Sequence, residues 1–167
     1  GNGSAMRVSP VAHMARDEQE LLDLAERTSE VTHNHPDAIA GAQATALAMW
    51  MAKCGADAVV IRKEIASRFD YDLSRSVDEI GQIYEFDVSC AGTVPQAITC
   101  ALEGSDYEDV VRNAVSIDGD TDTVACIAGG IAEMMFGLPE KIAETARGYL
   151  TDELVVVLDK FTGQVRS

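Results

Sequence analysis

The stretch AVSIDGDTDTVACIAGGIAE, Ala114–Glu133, decides how the rest of the chain is read. It sets Asp118, Asp120 and Asp122 within five positions and then turns apolar through Val124–Ala132. The run from Thr121 to Phe136 reads as a helix with acids at its mouth. Capping is the plain explanation, because a carboxylate beside a helix N-terminus satisfies orphan amides and suits the dipole. One aspartate does that, whereas three so close repel one another unless a cation shares them. A calcium loop of the EF-hand type is excluded: its sixth position would be Thr123 instead of glycine, and its twelfth Gly129 instead of a bidentate glutamate. What remains beside capping is a hard-cation site, with carboxylates from Asp120 and Asp122, a hydroxyl from Thr123, and Gly119 allowing a tight turn. Oxygen ligation points to Mg²⁺, Mn²⁺ or Ca²⁺ over zinc.

The whole chain narrows the classes. At 167 residues it is read as a single domain, 1–167, long enough to bury a substantial core. A hydrophobic content of 47% with 25% charged residues argues against global disorder. Thirteen Lys plus Arg stand against 28 Asp plus Glu, a formal charge of −15, so nucleic acid and anionic membranes are not expected partners. A phosphorylated ligand would need backbone amides or a metal. Cys54, Cys90, Cys100 and Cys126 form no C-x-x-C pair, which favours reduced thiols and a cytoplasmic location. No apolar run approaches the roughly 18 residues of a membrane span.

Helix signals recur with short breaks between them. Asp17 and Glu20 read as a capping box ahead of a helix with Leu21, Leu24, Ala25, Thr28 and Val31 on one face. Pro36 opens PDAIAGAQATALAMWMAK, apolar or small nearly all round and therefore central; Gly55 ends it, and Asp57 caps AVVIRKEIASRF. Further helices are expected over 77–84, 94–102, 107–116, 121–136, 139–149 and 152–161. LVVVL (Leu154–Leu158) has strand propensity, but its helical flanks and lack of a partner run favour a last helix. The expected fold is compact and all-α.

Two more segments carry chemistry. Gly1-Asn2-Gly3-Ser4 is a polar, glycine-rich lead-in to an apolar helix expected over Ala5–Ala15, where amides can cradle a phosphate, or simply make a turn. In THNHPD (Thr32–Asp37), zinc would need further ligands that the sequence does not offer, so ligand contact or helix capping suits His33 and His35 better. His13, on a helix face, reads as structural.

Taken together, GNGSAMRVSP (Gly1–Pro10), THNHPDAIAGAQATALA (Thr32–Ala48) and GDTDTVACIAGGIAE (Gly119–Glu133) resemble the ADP-ribosylglycohydrolase family. The resemblance implies an orthogonal helical bundle with a binuclear Mg²⁺ or Mn²⁺ centre. It implies hydrolysis of the glycosidic bond between ADP-ribose and an acceptor, with ADP-ribose or an ADP-ribosylated protein as partner. By motif match, Asp120, Asp122 and Thr123 would ligate metal, the two aspartates serving catalysis. Gly1, Asn2, Gly3, Ser4, Met6 and His33 would line the ADP-ribose site. SCAGTVP (Ser89–Pro95) aligns loosely with a loop near the adenine side.

Two departures are visible. The family's upstream segment, with its T-D-D-T motif and acid–base residue, has no counterpart in this sequence, and Asp118 replaces a glycine of the family's G-G-D motif. The expectation is the C-terminal part of a longer enzyme; a complementing N-terminal segment or self-association would cover the exposed core surface. The alternative is a catalytically incomplete ADP-ribose-binding or structural domain.

Overall fold

The computed structural model describes residues 1–165, and every regular element among them is an α-helix. Eleven helices follow in order: α1 Gly3–Met6, α2 Ser9–Met14, α3 Glu18–Glu30, α4 Pro36–Lys53, α5 Ala58–Phe69, α6 Val77–Gly81, α7 Cys90–Glu103, α8 Tyr107–Ser116, α9 Thr121–Phe136, α10 Glu140–Arg147 and α11 Asp152–Val165. They fall into two compact units that divide after Phe136.

In the first unit, α4 is the hub. It packs against α1, α2, α3, α5, α7 and α9, and it buries residues on all its faces, from Ala38 and Gly41 to Met49 and Ala52. Small residues make that possible. A Cβ on Gly41 would lie 2.6 Å from the Cβ of Cys90, and one on Gly130 would lie 2.6 Å from Met49 Cε. Helices α7 and α9 press directly on α4 through these contacts, and α8 packs on both of them. Leu47, Ile98, Ile127 and Ile131 fill the centre, each contributing about 1.5–3 kcal/mol by burial.

Local signals set most boundaries. The Asp17, Asp57 and Asp106 side chains each accept the amide three residues on, and Gly55 leaves α4 at φ +85°. Glu20 completes only half of a box with Asp17: its carboxylate takes the Arg16 amide at 2.8 Å and pairs with the Arg16 guanidinium. That pairing holds Glu20 down at a pKa of about 2.

Four expectations need correction. The helix expected over Ala5–Ala15 is two short helices, because Pro10 lacks an amide proton and suits only the first turn of α2. Helix α7 starts at Cys90, four residues before the expected Val94; Ser89 caps it by accepting the Gly92 amide, and Pro95 is tolerated inside. Val31 does not share the buried face of α3 but stands exposed at its C-cap, and Ser29 is buried in its place. The short helix expected over 77–84 ends at Gly81.

The second unit, from Gly137 onward, contains α10 and α11. LVVVL is helical here, as the flanks indicated. Arg147 and Asp159 join the two helices by a pair of 2.8 Å contacts. No residue of either helix is buried. Among the described residues no helix is long and apolar enough to cross a membrane, and all four cysteines are free.

Candidate functional site

The first and last sequence motifs meet. Asn2, buried just ahead of α1, donates through Nδ2 to Asp120 Oδ2 at 2.7 Å and to Thr93 Oγ1 at 3.1 Å. The bond to a carboxylate is short and charge-assisted. Asp120 stands immediately before α9, and its carboxylate turns to Asn2 while its carbonyl takes the Val124 amide. A second link runs one turn further along, where the buried Thr123 hydroxyl donates to Met6 Sδ at 3.5 Å. Sulfur is a weak acceptor, so the oxygen keeps its lone pairs for another partner.

The turn before α9 explains its aspartates separately. Asp118 and Gly119 both adopt positive φ, +64° and +75°, and Asp118 Oδ1 accepts the Gly119 amide at 2.9 Å. Asp118 is therefore a turn residue. Gly119 is required twice, by its backbone and by Tyr84, whose ring carbon would lie 2.7 Å from any added Cβ. Asp122 is exposed and accepts its neighbour's amide, Thr123 N, at 3.0 Å.

Among the described residues, no lysine, arginine or histidine pairs with Asp118, Asp120 or Asp122. Uncompensated carboxylates with a hard hydroxyl beside them match the donor chemistry of Mg²⁺ or Mn²⁺. Among the described residues, no group of three or more His, Cys, Asp or Glu is placed to hold a metal ion.

The two histidines of THNHPD separate. His35 caps α4, its Nδ1 accepting the Asp37 amide at 3.2 Å. His33 lies over the glycines instead. A Cβ on Gly1 would be 3.2 Å from His33 Nε2, and one on Gly3 would be 3.1 Å away, so both glycines make room for the ring. Arg7 donates to Thr32 Oγ1, which lies 2.7 Å from His33 Nδ1. The Arg7 guanidinium, which can only donate, also reaches Nδ1 at 3.5 Å, so Nδ1 is an acceptor and the neutral ring carries its proton on Nε2. Burial, then the Arg7 charge, pushes the His33 pKa down and keeps the ring neutral. Ser4 points away from this group: its hydroxyl is fully buried and donates to Ala38 O at 2.9 Å. His13 sits 4.0 Å from the Glu133 carboxylate, outside the cluster.

Several contributors were not singled out from sequence. Thr93 is fully buried and donates to Asp87 O at 3.0 Å. Asp87 approaches Gly92 so closely that an added Cβ would sit 2.0 Å from its carboxylate. Beside them opens a cavity of about 370 Å³, lined by Ile80, Ile83, Tyr84, Phe86, Gly92 and Gln96 among others. A smaller one of about 210 Å³ is lined by Gly1, His35, Asp37, Ala38, Ser89 and Cys90.

Comparison with known proteins gives the family of the chain. The profile of the ADP-ribosylglycohydrolase family matches residues 1–166. An uncharacterized protein of Archaeoglobus fulgidus is 30% identical over 85% of the chain and 52% of its own length. ADP-ribosylhydrolase ARH3 is 25% identical in Bos taurus and 24% in Homo sapiens, each over 89% of the chain and 54% of the relative. The chain thus spans about half the length of the curated relatives it matches.

Proposed function

The chain belongs to the ADP-ribosylglycohydrolase family, and from that premise we propose that its protein is a metal-dependent hydrolase of the glycosidic bond joining ADP-ribose to an acceptor such as a protein side chain. The observation that carries this reading is the 2.7 Å bond between Asn2 and Asp120, which joins the glycine-rich turn to the acidic turn across 118 residues. A diphosphate-sized anion needs amides or a cation in a chain of charge −15, and this junction sets a glycine-rich turn beside carboxylates that would hold a cation.

Asp120, Asp122 and Thr123 would hold Mg²⁺ or Mn²⁺, with further ligands from outside the described residues. When bound, the ion supplies Lewis acidity toward ribose hydroxyls and a water near the anomeric carbon. The chain's own residues bind and orient. Gly1 and Gly3 let the ligand and the His33 ring approach the backbone closely, and Nε2–H of His33 donates a hydrogen bond. Ser4 acts through its backbone, since its hydroxyl belongs to the core. Met6 steers Thr123 through its sulfur. Asn2 holds one oxygen of Asp120 and leaves the other to face the reacting groups. Departure of the acceptor from the anomeric carbon leaves oxocarbenium character on the ribose, which the nearby carboxylates stabilise.

Calorimetric titration of this chain with ADP-ribose, with and without Mg²⁺, tests the reading. Metal-dependent binding is expected, and Asp120→Asn combined with Asp122→Asn should abolish that dependence. Unchanged affinity in the double variant sinks the metal assignment. Metal-independent binding by the unaltered chain would favour an ADP-ribose-binding domain over an enzyme.

A further inference from the structure

Thr93 lies outside the three motifs that carry the family resemblance, in the loosely aligned Ser89–Pro95, yet its hydroxyl is the fixed end of a chain of hydrogen bonds that terminates on Asp120. A threonine hydroxyl has one proton. Thr93 donates that proton to the carbonyl of Asp87 at 3.0 Å. Toward Asn2 Nδ2, at 3.1 Å, Thr93 can therefore only accept. The two amide protons of Asn2 are then both assigned, one to Thr93 and one to Asp120 Oδ2. The reverse orientation of the amide would set its oxygen against a carboxylate, which has no proton to give. Thr93 is fully buried and Asn2 is 7% exposed, so water does not readily replace either partner.

From this geometry we infer that Thr93 is a positioning residue: acting through the Asn2 amide, it fixes the orientation of the Asp120 carboxylate toward a bound divalent cation. The inference rests on the metal-site reading above, and it extends that reading to a residue that does not touch the ion. Asp87 takes part through its backbone carbonyl, so its side chain is free to bond the Ser89 amide, at 2.6 Å, and to hold the start of α7. Tyr84 closes the other side. Its ring packs on Gly119, and its hydroxyl is buried without a hydrogen-bond partner. Asp120 is thus held from its side chain by Asn2 and Thr93, and its turn is held from the backbone by Tyr84.

The test compares Thr93→Val, which keeps the shape and removes the oxygen, with Thr93→Ser, which keeps the oxygen. Two readouts are taken on this chain: Mn²⁺ affinity by titration, and solvent exchange of the Asn2 side-chain amide protons by NMR. Thr93→Val should weaken Mn²⁺ binding by about tenfold or more, the usual scale for losing an outer-sphere partner. It should also speed exchange at Asn2, and Thr93→Ser should restore both. Equal losses in the two variants would overturn the proposal, because they report packing and not the hydroxyl. So would a Thr93→Val protein that matches the unaltered chain in both readouts. Should the unaltered chain take up no Mn²⁺, the metal reading fails by itself, and Asn2 exchange in the two variants still decides whether Thr93 orients the amide.

Discussion

Helices α9 and α11 look alike as sequence, each an acidic start followed by an apolar run, but they have opposite fates. Thr123, Val124, Ile127, Ala128, Gly129, Ile131 and Ala132 of α9 are buried. No residue of α11 is buried, and Leu154 and Val157 are 54% and 64% exposed. The difference lies in what surrounds an apolar residue more than in how apolar it is. In α9, small residues alternate with branched ones, so α4, α7 and α8 come close enough to enclose it. Its tight seat is what allows the turn before it to aim Asp120 at Asn2. Residues 154–158 of α11 are all large, and in its own unit only α10 is available to meet them.

That contrast can be tested hardest in α9. Ile131→Ala should destabilise the first unit by about 3 kcal/mol, from lost burial together with the cavity left behind; urea unfolding monitored at Trp50 measures it. A much smaller loss would mean that α9 is less tightly held than its burial indicates. Val157→Lys in α11 should change stability by no more than about 0.5 kcal/mol, as for a surface position. A large loss in the same unfolding assay would show that α11 buries its face against a partner.

The smallest effect concerns pH in the second unit. The Arg147 guanidinium bonded to Asp159 holds that carboxyl below the usual aspartate range. A depressed acid contributes stability above its unfolded pKa and loses it as pH falls through the lower folded value. Helicity of α10 and α11 should therefore slip only in acid, below the ordinary aspartate pKa, and Arg147→Gln should return Asp159 to that value in a carboxyl NMR titration. No change in the Asp159 titration would remove the ion pair as a link between the two helices.

Much of the architecture was legible in advance. Asp57, Pro36 and Gly55 act through rules that span a few residues, and the bounds of α4, α5, α8 and α9 follow from them. The misreadings lie where distant neighbours decide. Pro95 looks like a helix start, but Ser89 and the packing of α7 on α4 extend the helix ahead of it. Val31 fits an apolar face by spacing, although α3 has already reached its cap there. At the site, only the family resemblance put the glycine-rich and acidic motifs together, and capping was one of two uses open to His33 and His35, of which the structure gives it to His35. The part played by Thr93 was not readable, since a lone threonine in an apolar helix carries no mark of its partners.

By itself, then, the sequence determined an all-α chain, the acidic charge that calls for a cation or amides at any phosphate, and the motifs that place it in its family. Each of these depends on composition or on spacing within a few turns. Tertiary structure alone decided that Asp118 serves the turn while Asp120 faces Asn2, that Ser4 is given to the core, and that Thr93 sets the direction of the Asn2 amide. A hydrogen bond forms only where donor and acceptor lie about 3 Å apart and aligned. Across 91 or 118 residues, only the packing of α1, α7 and α9 around α4 brings them there.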